Sequence, residues 1–339
     1  MARRTRKVQP AQQTLTFALG LGGTAYCDLS LAASIANRRF YRQGLNWAVS
    51  GFTVFASGVS QTVGIYKLPD TWVSYNSWMK GFKLWQEMND QVLDVEESIA
   101  GRYSDFKIYM DREHYERVHE DPFQSDTGIS NSKTILPVVR NSGSGALVLP
   151  TMVDGGAATC EWDASEYTFP DPVDGTADSF CTHMVGENST TVIGTSSGSK
   201  GLILGYAYSR SRPNVEDPNV PRTSSTRAWM NDLFDYGDQN PDIRENLVEQ
   251  NDTTPYPLSG DNTNKEFYPG GQENLNGLEI IVDGLTVSAS TDYSARINVP
   301  GTNVPCGLLA FQNSGPCIVQ VHLAPGPHRG YLAVPMQEF

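Results

Sequence analysis

The stretch that most limits how this chain can fold is Gly44–Met88. It opens with two apolar, β-branched runs, Leu45–Phe55 and Gln61–Leu68, joined by the turn-forming Ala56-Ser57-Gly58. Pro69-Asp70 ends the period of two. Tyr75, Trp78, Met79, Phe82 and Trp85 then recur at helical spacing. Two strands and an aromatic-striped helix predict a core whose rings pack rather than bind a ligand. Nothing in the stretch has a catalytic pattern.

The rest of the chain reads as short strands divided by turns. Leu15, Phe17 and Leu19 alternate, Gly20–Gly23 turns, and Ala25–Leu31 alternates again, which predicts a hairpin. Tyr103–Met110, Ala146–Met152, Thr159–Phe169, Ser179–Val185, Ser189–Gly194 and Gly201–Ser209 are strand candidates. A final block follows: Leu278–Ser288, Ser294–Val299, Cys306–Gln312, Cys317–Leu323 and Tyr331–Pro335, with turns at Pro300-Gly301, Asn313–Pro316 and Pro325–Gly330. Helices are expected over 224–237 and 241–249, and Asp111–Asp121 reads as a solvated charged segment. With 31 glycines and 20 prolines to supply turns, this pattern predicts an all-β fold, a β-sandwich or jelly roll with short helical inserts.

Charge is distributed unevenly. Residues 1–42 hold Arg3, Arg4, Arg6, Lys7, Arg38, Arg39 and Arg42 against Asp28 alone, a net +6; with −13 over the whole chain, the remainder carries −19. Residues 1–13 are polar and basic and read as a disordered arm; residues 14–339 read as one domain with long loops and insertions. A basic tip on an acidic body suits a molecule that turns one face toward a polyanion. In Asn37–Arg42, arginines interleave with Phe40 and Tyr41. They could contact phosphates and stack on bases, or the arginines could pair with carboxylates while the rings join the core.

Several patterns point elsewhere and fail on context. Gly20-x-Gly-x-x-Ala25 resembles a dinucleotide fingerprint, but that motif needs a helix where a strand is expected. The G-x-S-x-G around Ser196 lies between strand candidates, not ahead of a helix. His114 and His119, five apart, do not share a helical face. Asp232, Asp235, Asp238 and Asp242 are close enough in sequence to collect calcium, as at a subunit interface, though not with EF-hand spacing; no other cofactor is implied. Five widely spaced cysteines (Cys27, Cys160, Cys181, Cys306, Cys317) suit a reduced place of synthesis better than a disulfide framework. No run of apolar residues is long enough for a transmembrane helix, and the basic first residues lead into no apolar signal segment.

Three stretches, in order, carry a resemblance: Ala2-Arg-Arg-Thr-Arg-Lys7; Asn251-Asp-Thr-Thr-Pro-Tyr256 with Phe267-Tyr-Pro-Gly-Gly271; and Ala324-Pro-Gly-Pro-His-Arg-Gly330. In these the chain resembles the capsid proteins of small icosahedral viruses whose circular single-stranded DNA encodes a replication initiator. The resemblance implies a single jelly roll and no enzymatic activity. It also implies assembly of many copies into a closed shell made inside the host cell, sequence-independent packaging of single-stranded DNA, and surface loops that meet a host receptor. Arg3, Arg4, Arg6 and Lys7 are the expected phosphate contacts, with Arg38, Arg39 and Arg42 as second candidates. The arm is shorter than in many such proteins, so cations or those three arginines would share the neutralisation. The readings set against it are a viral or phage receptor-binding or fibre protein, and a β-sandwich hydrolase acting on carbohydrate, which needs two opposed carboxylates.

Overall fold

The computed structural model describes residues 10–20, 22–56, 60–93, 105–119, 134–140, 147–148, 164–170, 177–189, 198–210, 277–288 and 295–338. In chain order its elements are β1 (Thr14–Leu19), β2 (Gly23–Asp28), α1 (Leu29–Asn37), β3 (Leu45–Ala56), β4 (Gln61–Lys67), α2 (Trp72–Leu93), β5 (Tyr109–Asp111), α3 (Arg112–His119), β6 (Val139–Arg140), β7 (Leu147–Val148), β8 (Glu166–Pro170), β9 (Ala177–Val185), β10 (Ser199–Gly201), α4 (Leu202–Arg210), β11 (Glu279–Val287), β12 (Arg296–Val304), β13 (Leu308–Asn313), β14 (Cys317–Leu323), β15 (Pro325–Gly326), β16 (Gly330–Tyr331) and β17 (Ala333–Pro335). The chain is mostly β and divides into two compact units. One is Met1–Asp70, Asp121–Asp163 and Glu279–Phe339; the other is Thr71–Glu120 and Ala164–Leu278.

The first unit holds two antiparallel sheets, ordered β1-β14-β3-β12 (with β17 also on β3) and β11-β4-β13-β2. Both bury their inner faces in one cluster. Leu15, Phe17, Phe52, Val54, Val319 and Val321 come from the first sheet; Ala25, Cys27, Val63, Ile65, Leu309 and Phe311 come from the second. Phe17 and Phe311 meet across it with ring centroids 6.2 Å apart. This agrees with the expected β-sandwich. The strand pairs are nested: β1 lies beside β14, β2 beside β13, β3 beside β12 and β4 beside β11.

Nesting overturns one expectation from sequence. β1 and β2 do not form a hairpin; like β3 and β4, they lie in different sheets. Alternation fixes which face is buried, and both members of each couple bury theirs in the same interior. It says nothing about which strand lies alongside.

Four more local expectations change. The run Ala25–Leu31 is not strand throughout: β2 ends at Asp28, whose carboxylate accepts the Ser30 and Leu31 amides at 2.8 and 3.2 Å and starts α1. The Pro300-Gly301 turn is instead inside β12, an edge strand, where proline's missing N–H is tolerated. Gly201–Ser209 is helical from Leu202, since a continuous apolar run of this kind has no period to separate strand from helix. The Gly44–Met88 stretch does not form one core. It is divided after Asp70, where Pro69-Asp70 breaks the strand, so β3 and β4 belong to the first unit and α2 to the second.

Gly301 shows how closely backbones approach at that edge. A Cβ there would lie 2.1 Å from the Val49 carbonyl oxygen and 2.4 Å from the Ser50 carbonyl carbon. Gly301→Ala is expected to cost roughly 1–3 kcal/mol through forced displacement of β12. An unchanged urea midpoint would show that the strands separate freely here.

In the second unit β9 is flanked by β5 and β10, both parallel to it, and pairs with β8 antiparallel. The aromatic stripe of α2 forms as expected: Trp78 stacks on Phe82 at 4.9 Å, and both meet Phe106. Tyr167 donates its hydroxyl to the Gly81 carbonyl at 2.7 Å. The charged Asp111–Asp121 segment is not simply solvated. Asp111 accepts the His114 amide at 2.7 Å and starts α3, and His114 is buried with Nδ1 accepting the Met110 amide at 3.1 Å.

His183 of β9 is also fully buried, with Nδ1 2.7 Å from the Ser199 hydroxyl. Burial pushes its pKa from 6.5 down to about 4. The fold therefore holds it neutral while the unfolded chain takes a proton below pH ~6.5. Stability is full above that pH and falls between pH ~6.5 and ~4, by roughly 3 kcal/mol. Protection factors of the β9 and β10 amides, taken against the intrinsic exchange rate at each pH, should fall as pH drops through this window, and His183→Gln should flatten the dependence. Protection factors independent of pH in the parent protein would contradict the assignment.

Candidate nucleic-acid interface

Residues 1–9, with Arg3, Arg4, Arg6 and Lys7, lie outside the described residues, as do Asp232, Asp235, Asp238 and Asp242 and Ser196. Arg38, Arg39 and Arg42 are described, and the sequence places them where α1 ends. Arg38 is the C-cap, in the left-handed region at φ 51 and ψ 46, with its amide donating to the Ser34 carbonyl. The Arg39 amide donates to the same oxygen at 3.2 Å, and the Tyr41 amide donates to the Ser34 hydroxyl at 3.0 Å. Residue 34 thus folds the basic segment back over the last helical turn. Cations at a helix C-terminus also complement the unpaired carbonyls there.

The two readings of Asn37–Arg42 each hold in part. Tyr41 is buried in the core, with its ring 5.8 Å from Trp47 and 5.5 Å from Tyr331, so it offers no face to a base. Phe40 is only half-buried. Arg38 and Arg42 are exposed, and the ion pairs among the described residues are Lys67–Glu279, Arg112–Glu116 and Arg117–Glu113, so neither arginine is neutralised by them. Asp28, the one acid of residues 1–42, is buried at the opposite end of α1, where it accepts the helix amides.

The structure brings two other stretches to the same place. Gln12, where the arm joins β1, closes a triangle of hydrogen bonds. Its amide donates to Asn37 Oδ1 at 2.9 Å, Asn37 Nδ2 donates to the Tyr331 hydroxyl at 2.6 Å, and that hydroxyl donates to the Gln12 carbonyl at 2.7 Å. Gln13 Nε2 donates to the Gly330 carbonyl at 3.1 Å. The second stretch is the C-terminal Ala324–Gly330 turn. Tyr41 donates its hydroxyl to the Arg329 carbonyl at 3.1 Å, across 288 residues of sequence, while Arg329 Nη1 donates to the Phe40 carbonyl. The Arg39 guanidinium hydrogen-bonds the Tyr41 hydroxyl; burial raises that phenol's pKa and the Arg39 and Arg329 charges oppose the rise. His328 packs 6.3 Å from Tyr41. Its pKa is lowered by burial and then by Arg329, so it contributes a ring and not a charge at neutral pH.

The site therefore groups the exposed Arg38 and Arg42 and the half-buried Arg39 with the exposed Arg329, beside Gln12. Such a surface can hold phosphates electrostatically. Sequence reading did not assign Arg329 to it, because nothing local links residue 329 to residue 41. Searches of family models, curated proteins and solved structures gave no match to this chain. Among the described residues no set of three or more His, Cys, Asp or Glu side chains is placed to hold a metal, and no helix is long and apolar enough to cross a membrane.

Proposed function

We propose that this chain is a capsid protein: a single jelly roll that assembles with copies of itself into an icosahedral shell and packages single-stranded DNA through its basic arm. The observation that carries the reading is the conjunction of strand nesting and arm placement. Pairing of β1 with β14, β2 with β13, β3 with β12 and β4 with β11 is the pattern expected when one long antiparallel hairpin is rolled into two facing sheets, as in a jelly roll. Gln12, just before β1, is bonded to Asn37, which directly precedes Arg38 and Arg39. Arg3, Arg4, Arg6 and Lys7 contact phosphate first, and the three arginines extend the contact. Binding is sequence-independent and weakens as salt rises. Surfaces buried between symmetry-related copies hold the shell, with calcium at Asp232, Asp235, Asp238 and Asp242 as part of the same proposal.

Light scattering with negative-stain microscopy on the purified protein tests the assembly. Closed, uniform particles are the expected result, with a larger fraction in calcium than in chelator if the four aspartates bind it. A monomer or trimer at every salt and calcium concentration would overturn the shell reading and favour a fibre or receptor-binding protein.

A further inference from the structure

We infer that Arg329, in the turn between β15 and β16, is a further phosphate contact and forms with Arg38, Arg39 and Arg42 a single platform at the root of the arm for the backbone of a single nucleic-acid strand. The inference rests on the nucleic-acid reading above.

Three independent observations carry it. The first is position. Tyr41 gathers two of the guanidinium-bearing residues, since its hydroxyl is bonded by Arg39 and donates to the Arg329 carbonyl, while Arg329 reaches the neighbouring Phe40 carbonyl. The turn and the Asn37–Arg42 segment are thus tied together. The second is availability. Arg329 is exposed and enters no ion pair among the described residues, and a guanidinium has five donors, of which the Phe40 contact uses one.

The third is backbone conformation. Among the described residues only Arg38, Cys306 and Arg329 have positive φ without being glycine, and two of these three belong to this patch, each at φ 51. Glycine takes that conformation without the penalty that a Cβ brings, and it is the usual residue where a helix ends in this way. Local folding preference would place glycine at both positions. Arginine at both is explained by what the side chains hold. The half-buried Phe40, two residues after Arg38, joins the two through its carbonyl, which accepts from Arg329.

The test uses full-length protein and a fluorescent oligothymidylate across a salt series, with Arg38→Gly and Arg329→Gly. Each should lower affinity about fivefold at ~0.1 M salt and reduce the log–log salt slope by about 0.7, the contribution of one phosphate contact on a single strand. The urea midpoint should stay level or rise, because glycine relieves the backbone. Arg329→Lys, which keeps the charge, should retain most of the slope. Unchanged affinity and slope in both glycine variants, while alanine at Arg3, Arg4, Arg6 and Lys7 removes binding, would overturn the platform and leave the arm reading standing. Normal binding by the arm variant as well would overturn the nucleic-acid reading itself. If Arg329→Gly lowers the urea midpoint, Arg329→Asn, which tolerates the same backbone, is measured in its place, and unchanged binding there overturns the inference.

Discussion

Replacing Arg3, Arg4, Arg6 and Lys7 together with alanine is expected to reduce affinity for single-stranded DNA by several hundredfold at ~0.1 M salt, because four phosphate contacts are lost at about fivefold each. The slope of log affinity against log salt should fall by roughly 3. The reason is charge distribution: the arm and the three arginines after α1 make residues 1–42 net positive in a chain whose remaining residues sum to −19. Neutralising the arm leaves a polyanion-binding surface of three or four arginines on a body that repels DNA. Truncation is a less clean test than substitution, since Gln12 and Gln13 are bonded to Asn37, Tyr331 and Gly330, and deleting them would disturb the fold at the same time. Titration of a labelled oligonucleotide at several salt concentrations measures both quantities. A slope that does not move would mean that the arm does not touch phosphate.

Trp47→Ala is expected to destabilise the first unit by about 3–5 kcal/mol, the range for removing a large ring from a packed interior. Trp47 is fully buried on β3. Its ring lies 5.3 Å from Tyr331 and 5.8 Å from Tyr41, and its indole N–H donates to the Ser30 hydroxyl on α1 at 3.1 Å. A Cβ on Gly307 would come within 3.0 Å of the indole, so that turn also closes against it. Losing the ring leaves a cavity lined by the same two tyrosines that hold the arm root and the Arg329 turn. Nucleic-acid binding should therefore weaken in this variant together with stability. Trp72, 40% exposed at the start of α2, is the control, and Trp72→Ala should change stability by no more than about 0.5 kcal/mol. Urea unfolding at constant slope compares the two; equal effects would show that Trp47 does not anchor a core.

The arginine platform and the nested strands share one origin. Each nested pair joins residues far apart in sequence, β1 with β14 and β2 with β13, and this returns the C-terminal turn to the start of the chain. Val321 pairs with Leu15 and Cys317 with Leu19. Tyr331 and Arg329 follow that return and reach Gln12, Asn37 and Tyr41. The nested sandwich brings β1 and the turn after β14 together, and the charged groups of the proposed interface sit where they meet.

What the sequence determined by itself is the local chemistry. Apolar, β-branched runs bounded by turn residues located β3, β4, β11 and β14 to within a few residues. The aromatic period of 75–85 identified α2, and the bias of residues 1–42 marked the basic surface. Only the tertiary structure decided the pairing. The sequence of β1 and β2 looks like a hairpin, yet the two strands lie in opposite sheets, because alternation specifies a buried face and not a neighbour. Tertiary packing also decided the fate of Asn37–Arg42. Tyr41 entered the core beside Trp47, Arg38 and Arg42 stayed in solvent, and Arg329 joined them from the far end of the chain. Sequence spacing cannot show such a grouping, since an exposed guanidinium leaves no periodic mark and its neighbours are set by long-range strand pairing.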